Sequence, residues 1–171
     1  MIDLTPACRE LATLVAGIDD ARRPDPTPCP DMTVGDVLDH LEDVAAGFTA
    51  IATGREQPRR PDLPAALDAL AAAWADPAAW EGETAGPGVA LPAATWGRIA
   101  LTEVVVHGWD LARATGRPFA PPDATLEACL AHVRDFVPRA PLPELWGTPV
   151  ALPDDAPLLD RVVAGTGRRP G

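Results

Sequence analysis

The sequence predicts an all-α fold, a single helical domain over residues 1–171 with a short C-terminal tail. Three observations carry this. Apolar residues recur at three- and four-residue intervals in four separate segments. Proline and glycine clusters divide those segments at helix-like lengths. No internal repeat and no alternating strand pattern stands out between them. Long helices joined by variable loops pack most simply as a bundle.

The first helix is expected over about Thr5 to Ile18, with Thr5 as cap, Pro6 in the first turn, and Leu11, Leu14, Val15 and Ile18 on one face. A proline-rich stretch, Pro24 to Pro30, then breaks the chain. Thr33 opens the second helix, with Asp36 three residues on as a capping-box variant. Its apolar stripe is Val34, Val37, Leu38, Leu41, Val44, Ala45, Phe48 and Ile51, and Gly54 ends it. The third helix, Asp62 to Ala75, starts Asp-Leu-Pro and carries Leu63, Leu67, Leu70 and Trp74. Residues from Asp76 to about Pro92 read as a loop. The fourth helix runs from about Ala93 to Thr115 and stops at Gly116; a fifth runs from about Asp123 to Val137 and stops at Pro138. The tail holds an extended piece, Thr148 to Leu152, and a last helix from Pro157 to Ala164.

Composition removes whole classes of function. The net charge of −11 argues against nucleic acid and against an anionic membrane surface as partners. The best membrane-span candidate, Ile99 to Val106, is too short and is interrupted by Glu103. The N-terminus lacks a basic region followed by an apolar stretch, and the three cysteines (Cys8, Cys29, Cys129) show no CxxC spacing, so a reducing cytoplasm is the simple expectation. Ser, Lys, Tyr and Asn are all absent, which excludes a serine nucleophile, a lysine Schiff base and a P-loop lysine. Arg supplies all the basic charge, a weak sign of a GC-rich genome.

Chemistry must therefore come from His, Asp, Glu, Cys, Arg, Thr or a metal. On the fourth helix, Trp96, Ile99, Ala100, Glu103, His107, Asp110, Leu111 and Ala114 share one face. A carboxylate and an imidazole one turn apart in the middle of an apolar face are costly unless paired or metal-bound. Glu103 and His107, at i and i+4, fit either an intrahelical hydrogen bond or two ligands from one helix. His40 borders the stripe of the second helix; taken alone it reads as a histidine satisfied at the core edge. Two imidazoles and a carboxylate from facing helices, however, make an open three-ligand site of the kind used by catalytic zinc.

The segment Pro26-Thr-Pro-Cys-Pro-Asp-Met-Thr-Val34 leading to Leu38-Asp39-His40 resembles a signature of the DinB-like, mycothiol-dependent maleylpyruvate isomerase superfamily. The segment Glu103-Val-Val-Val-His107-Gly-Trp-Asp-Leu-Ala-Arg-Ala-Thr-Gly116 resembles its second signature very closely, and the tail Asp160 to Arg168 resembles actinobacterial members. The resemblance implies an up-down four-helix bundle and a divalent metal, zinc or nickel, held by His40, Glu103 and His107. It also implies a low-molecular-weight thiol, mycothiol or bacillithiol, as the species that the metal activates. Met32 departs from the pattern, which has Trp there, and the chain is shorter than the maleylpyruvate isomerases, which carry an additional C-terminal domain.

The expected function is a metal- and mycothiol-dependent transferase or isomerase acting on a small-molecule electrophile, as a monomer or homodimer. Two alternatives use the same residues: a metal-hydroxide hydrolase, and a non-catalytic, metal-stabilised bundle that binds a small molecule or a partner. Asp110 fits an orienting or structural role better than that of a ligand. Cys29 reads as a packed free thiol rather than a residue at the site mouth. Arg113, Arg168 and Arg169 are candidates for binding substrate carboxylates, with solvated surface arginines as the default.

Overall fold

The computed structural model describes residues 1–56, 62–86, 88–140 and 146–171. Six α-helices carry most of it: α1 (Thr5–Ala16), α2 (Val34–Thr53), α3 (Leu63–Trp74), α4 (Ala93–Thr115), α5 (Asp123–Phe136) and α6 (Leu158–Gly165). α1 packs on α3 and α4, and α2 packs on the same two helices, so four helices close a ring around one core. α5 lies against α4, and α6 against α5.

Local signals place the helices. The capping box at α2 is present in full: Thr33 Oγ1 accepts from Asp36 N, and Asp36 accepts from Thr33 N. Gly54 ends α2 and Gly116 ends α4 with φ of 65° and 71°, a backbone turn open to glycine without cost. At α3, Asp62 accepts from Ala65 N and Pro64 occupies the first turn. α1 differs from expectation. Thr5 lies inside the helix and Leu4 is the cap position, with no side-chain cap; Asp3 Oδ1 accepts from Thr5 N instead. That helix also ends at Ala16, two residues before Ile18.

α4 is the central element, buried on every side from Ile99 to Ala112. Two glycines permit this. A Cβ at Gly97 would lie 2.7 Å from the Trp80 ring, and one at Gly108 would lie 2.4 Å from the Phe119 ring. The apolar stripe of α2 divides: Val34, Val37, Leu41, Val44 and Ala45 enter the core, whereas Phe48 and Ile51 are only half-buried.

The fold is not wholly helical. Part of the expected loop between α3 and α4 forms an antiparallel hairpin, β1 (Glu83–Gly86) with β2 (Val89–Pro92), in the register Thr84↔Leu91 and Gly86↔Val89. The hairpin is held to α4 by Trp96, whose Nε1 donates to Thr84 O at 2.9 Å. The tail, by contrast, contains no strand among its described residues. The expected extended piece runs beside α6, with Gly147 N donating to Thr166 O and Val150 N to Ala164 O. No helix among the described residues is long and apolar enough to cross a membrane.

Candidate metal centre

α2 and α4 bring His40, Glu103 and His107 together. The two α4 residues are buried, with side chains 6% exposed, while His40 sits at the rim with its side chain 39% exposed. Glu103 Oε2 lies 3.2 Å from Nε2 of His40 and 3.2 Å from Nε2 of His107. The two imidazoles meet edge to face, their centres 4.8 Å apart. All three donor atoms fall within 4.8 Å of one another, a spacing at which they could hold one metal ion.

The electrostatics of the metal-free cluster follow from this packing. Burial pushes the Glu103 carboxyl upward, but hydrogen bonds from His107 and His40, and their charge, outweigh it and hold the group down at about 2. Burial pushes His107 downward, yet hydrogen bonds to Asp110 and Glu103, and the charge of both carboxylates, lift it to about 9. Without a metal, His107 is therefore a cation clasped by two anions at neutral pH. A dication held at Nε2 would take the place of that proton.

Asp110 serves the far side of this imidazole. Its Oδ2 lies 3.1 Å from His107 Nδ1, so Nδ1–H donates to Asp110 and Nε2 is left facing Glu103. Asp110 is fully buried and is itself held by Arg168, through Nη2 to Oδ2 at 2.9 Å and Nε to Oδ1 at 3.3 Å. Arg168 is thus no surface residue: it is 7% exposed. It reaches the site from the turn after α6, where Thr166 O also accepts from its Nη1. The other two arginines do not join it. Arg113 is exposed and lies over the Trp109 ring, 5.8 Å from its centre, and Arg169 is exposed.

Cys29 is placed here by the turn before α2. Thr27 Oγ1 donates to Met32 O, Met32 N donates to Cys29 O, and Asp31 takes a positive φ of 60° between them. The Cys29 thiol lies 3.3 Å from Arg168 Nη2. Burial raises its pKa, Arg168 opposes that, and Asp110 and Glu103 reinforce it. Cys29, His107 and Asp110 also lie close enough to share an ion. A guanidinium already occupies their midst, however, and both Asp110 oxygens are engaged, so the trio of His40, Glu103 and His107 is the better cation site.

A cavity of about 500 Å³ opens onto the trio. Besides the three donors, Cys29, Met32, Trp146 and Arg168 line it. Trp146 is buried, and its Nε1 has no hydrogen-bond partner among the described residues. Neither Trp146 nor the arrival of Arg168 was visible in the sequence, because nothing local to residues 146–168 marks them as neighbours of α4.

Comparison with known proteins places the chain in a family. The family model described as the mycothiol maleylpyruvate isomerase N-terminal domain matches residues 4–68 and 60–112, a range that contains all three donors. Two proteins of Mycobacterium tuberculosis are each 33% identical over 115 residues: uncharacterized protein Rv0738 of strain ATCC 25618 / H37Rv and uncharacterized protein MT0763 of strain CDC 1551 / Oshkosh. The alignment spans 62% of this chain and 62% of each relative. Among solved structures, the mycothiol-dependent maleylpyruvate isomerase and a point mutant of it superpose with TM-scores of 0.52 and 0.55. They are 19% identical over 77% of this chain and 68% of theirs, a likeness that shows the shared fold. The chain belongs to the mycothiol maleylpyruvate isomerase N-terminal domain family of the DinB-like superfamily.

Proposed function

We propose that the protein is a metal- and thiol-dependent transferase or isomerase, with one divalent ion, zinc or nickel, held by His40, Glu103 and His107. In this proposal the ring of α1 to α4 is the up-down four-helix bundle of the superfamily. The observation that carries the proposal is the convergence of two imidazoles and one carboxylate, within 4.8 Å, at the floor of an open cavity. Three protein donors satisfy a first-row dication only in part, which is the composition of a reactive rather than a closed site.

His40, Glu103 and His107 would hold the ion, and the chemistry it would supply is Lewis acidity that favours the thiolate form of a thiol at neutral pH. The protein's own groups do the rest. Glu103 supplies the neutralising charge. Asp110 fixes the His107 ring by accepting from Nδ1, and Arg168 holds Asp110 in place. The same cavity is lined by Arg168, whose guanidinium suits the polar body of a thiol cosubstrate of the mycothiol class. The residues give no support to a metal-independent cysteine mechanism, since the Cys29 thiol is held above its ordinary range by burial.

The test is a thiol-consumption assay with mycothiol and a panel of small electrophiles, with and without chelator, alongside metal analysis of the purified protein. Close to one ion per chain and chelator-sensitive thiol consumption are expected. His40→Ala combined with His107→Ala should abolish both. Full metal content in that double variant would overturn the ligand assignment, and metal loading with no thiol turnover on any electrophile would overturn the reaction.

A further inference from the structure

A second cavity, about 670 Å³, meets the first at His40 and Glu103. Its character is different. Phe48 and Ile51 of α2, Leu91 of β2, Trp96 and Ile99 of α4, and Phe136 at the end of α5 form its wall. The half-buried end of the α2 stripe is thus the lining of a chamber, not unfinished core.

The polar groups of this wall are already used. Trp96 donates its Nε1 proton to Thr84 O, and the backbones of β1 and β2 pair with one another. Among the described residues, and apart from His40 and Glu103, the charged residues of the lining are Asp43, Arg55 and Glu56, two carboxylates to one guanidinium. An anionic ligand therefore meets net negative charge and no spare donor in the hydrogen-bonded part of the wall. An uncharged apolar ligand gains by burial against aromatic rings, and the volume suits a small organic molecule. Gly47 lies on the helical face shared by His40, Val44 and Ile51, and a Cβ there would touch nothing within 4 Å.

We infer that this chamber binds an uncharged, aromatic or alkyl small molecule and presents one end of it at the His40–Glu103 edge, opposite in chemistry to the cavity that carries Arg168. The inference rests on the reading of that edge as the reactive centre. It assigns the cosubstrate to a neutral apolar class and disfavours dicarboxylates.

The experiment titrates the full chain with N-phenyl-1-naphthylamine, an uncharged fluorophore, in chelator and without thiol, and follows the emission. Saturable enhancement with one site per chain is expected. Neutral naphthalene should displace the dye, and a naphthalene dicarboxylate should not. Gly47→Phe, which fills the chamber, should weaken dye binding by about tenfold or more, while Gly47→Ala stays close to wild type and both retain the wild-type melting temperature. Three results would overturn the inference: no saturable binding, equal displacement by the dicarboxylate, or wild-type affinity in Gly47→Phe. A wild-type dimer that becomes monomeric in Gly47→Phe would also overturn it, by assigning the chamber to a contact between two copies. Because neither metal nor thiol is present, failure here is separable from failure of the metal–thiol reading.

Discussion

Arg168 and Asp110 form a buried, two-point ion pair across 58 residues of sequence, and the same Asp110 oxygen that takes Arg168 Nη2 also takes His107 Nδ1. A residue after the last helix therefore sets the orientation of an imidazole on the central one. Asp110 is fully buried and Arg168 is 7% exposed, so removing either one leaves the other's charge in the interior without its partner.

Asp110→Asn is expected to cost stability and metal affinity together. It strands the Arg168 guanidinium in the interior, at about 3–5 kcal/mol, and replaces the charged acceptor of His107 Nδ1–H with a neutral amide, at about 10–100-fold in metal affinity. Adding Arg168→Met to it should restore most of the stability and none of the affinity. Urea denaturation and a competitive metal titration on the same three proteins separate the two effects; recovery of affinity in the double variant would refute the orienting role.

Glu103→Gln should weaken metal binding by more than about 100-fold, beyond the loss typical of an outer partner, because it leaves two neutral imidazoles facing a dication. Its effect on the stability of the chelated protein should be smaller, since His107 keeps Asp110 as its partner when the Glu103 charge is lost. Thermal melts of wild type and variant, in chelator and in excess metal, make the comparison. Complete unfolding of the wild type on chelation would show that the ion holds the fold together, and the non-catalytic alternative would then stand ahead.

His132 gives a pH dependence away from the metal centre. It is buried on α5, stacked on Phe136 with ring centres 4.9 Å apart, and its Nε2 has no partner among the described residues. Burial, helped by the Arg98 charge and opposed by Asp135, pushes it down to about 4. The unfolded chain, with an ordinary value near 6.5, takes up a proton that the native state refuses. Stability should therefore fall as pH drops from about 6.5 towards 4, by up to about 1.4 kcal/mol per pH unit, with no contribution above that window. His132→Phe should flatten this slope by one proton's worth in denaturant melts between pH 7 and 5. An unchanged slope would show that the ring ionises freely in the fold.

Gly86→Val should disturb the hairpin and the chamber together. A Cβ at Gly86 would lie 2.3 Å from Trp96 Cζ2, so the indole must turn and its bond to Thr84 must break. A cost of about 1–3 kcal/mol is expected from overpacking, with a shift in tryptophan emission. Unaltered emission and stability would mean that the hairpin is not held against α4 as described.

The sequence revealed what its local rules control. Thr33 and Asp36 announced the start of α2, Gly54 and Gly116 the ends of α2 and α4, and the four-residue step from Glu103 to His107 put both on one face. His40 was legible only as a residue beside an apolar stripe, since its nearness to Glu103 depends on how α2 and α4 cross. The hairpin escaped because each strand is four residues long and Glu-Thr-Ala-Gly carries no apolar alternation. Thr5 misled because Asp3, two residues earlier, supplies the acceptor. Arg168 was the plainest failure of local reading: an arginine among glycines suggests solvent, and only the fold-back of the tail buries it.

The unequal exposure of the three donors has a kinetic side. Glu103 and His107 belong to one helix and stand deep in the interior, so their mutual placement survives any opening between helices. His40 alone faces the solvent edge, on a different helix. In the metal-bound protein proposed above, His40 would be the donor that exchanges with water most readily, and the α4 pair would carry most of the affinity. Dissociation rates should accordingly respond most to His40, and equilibrium constants most to Glu103 and His107, even though all three donors would touch the same ion.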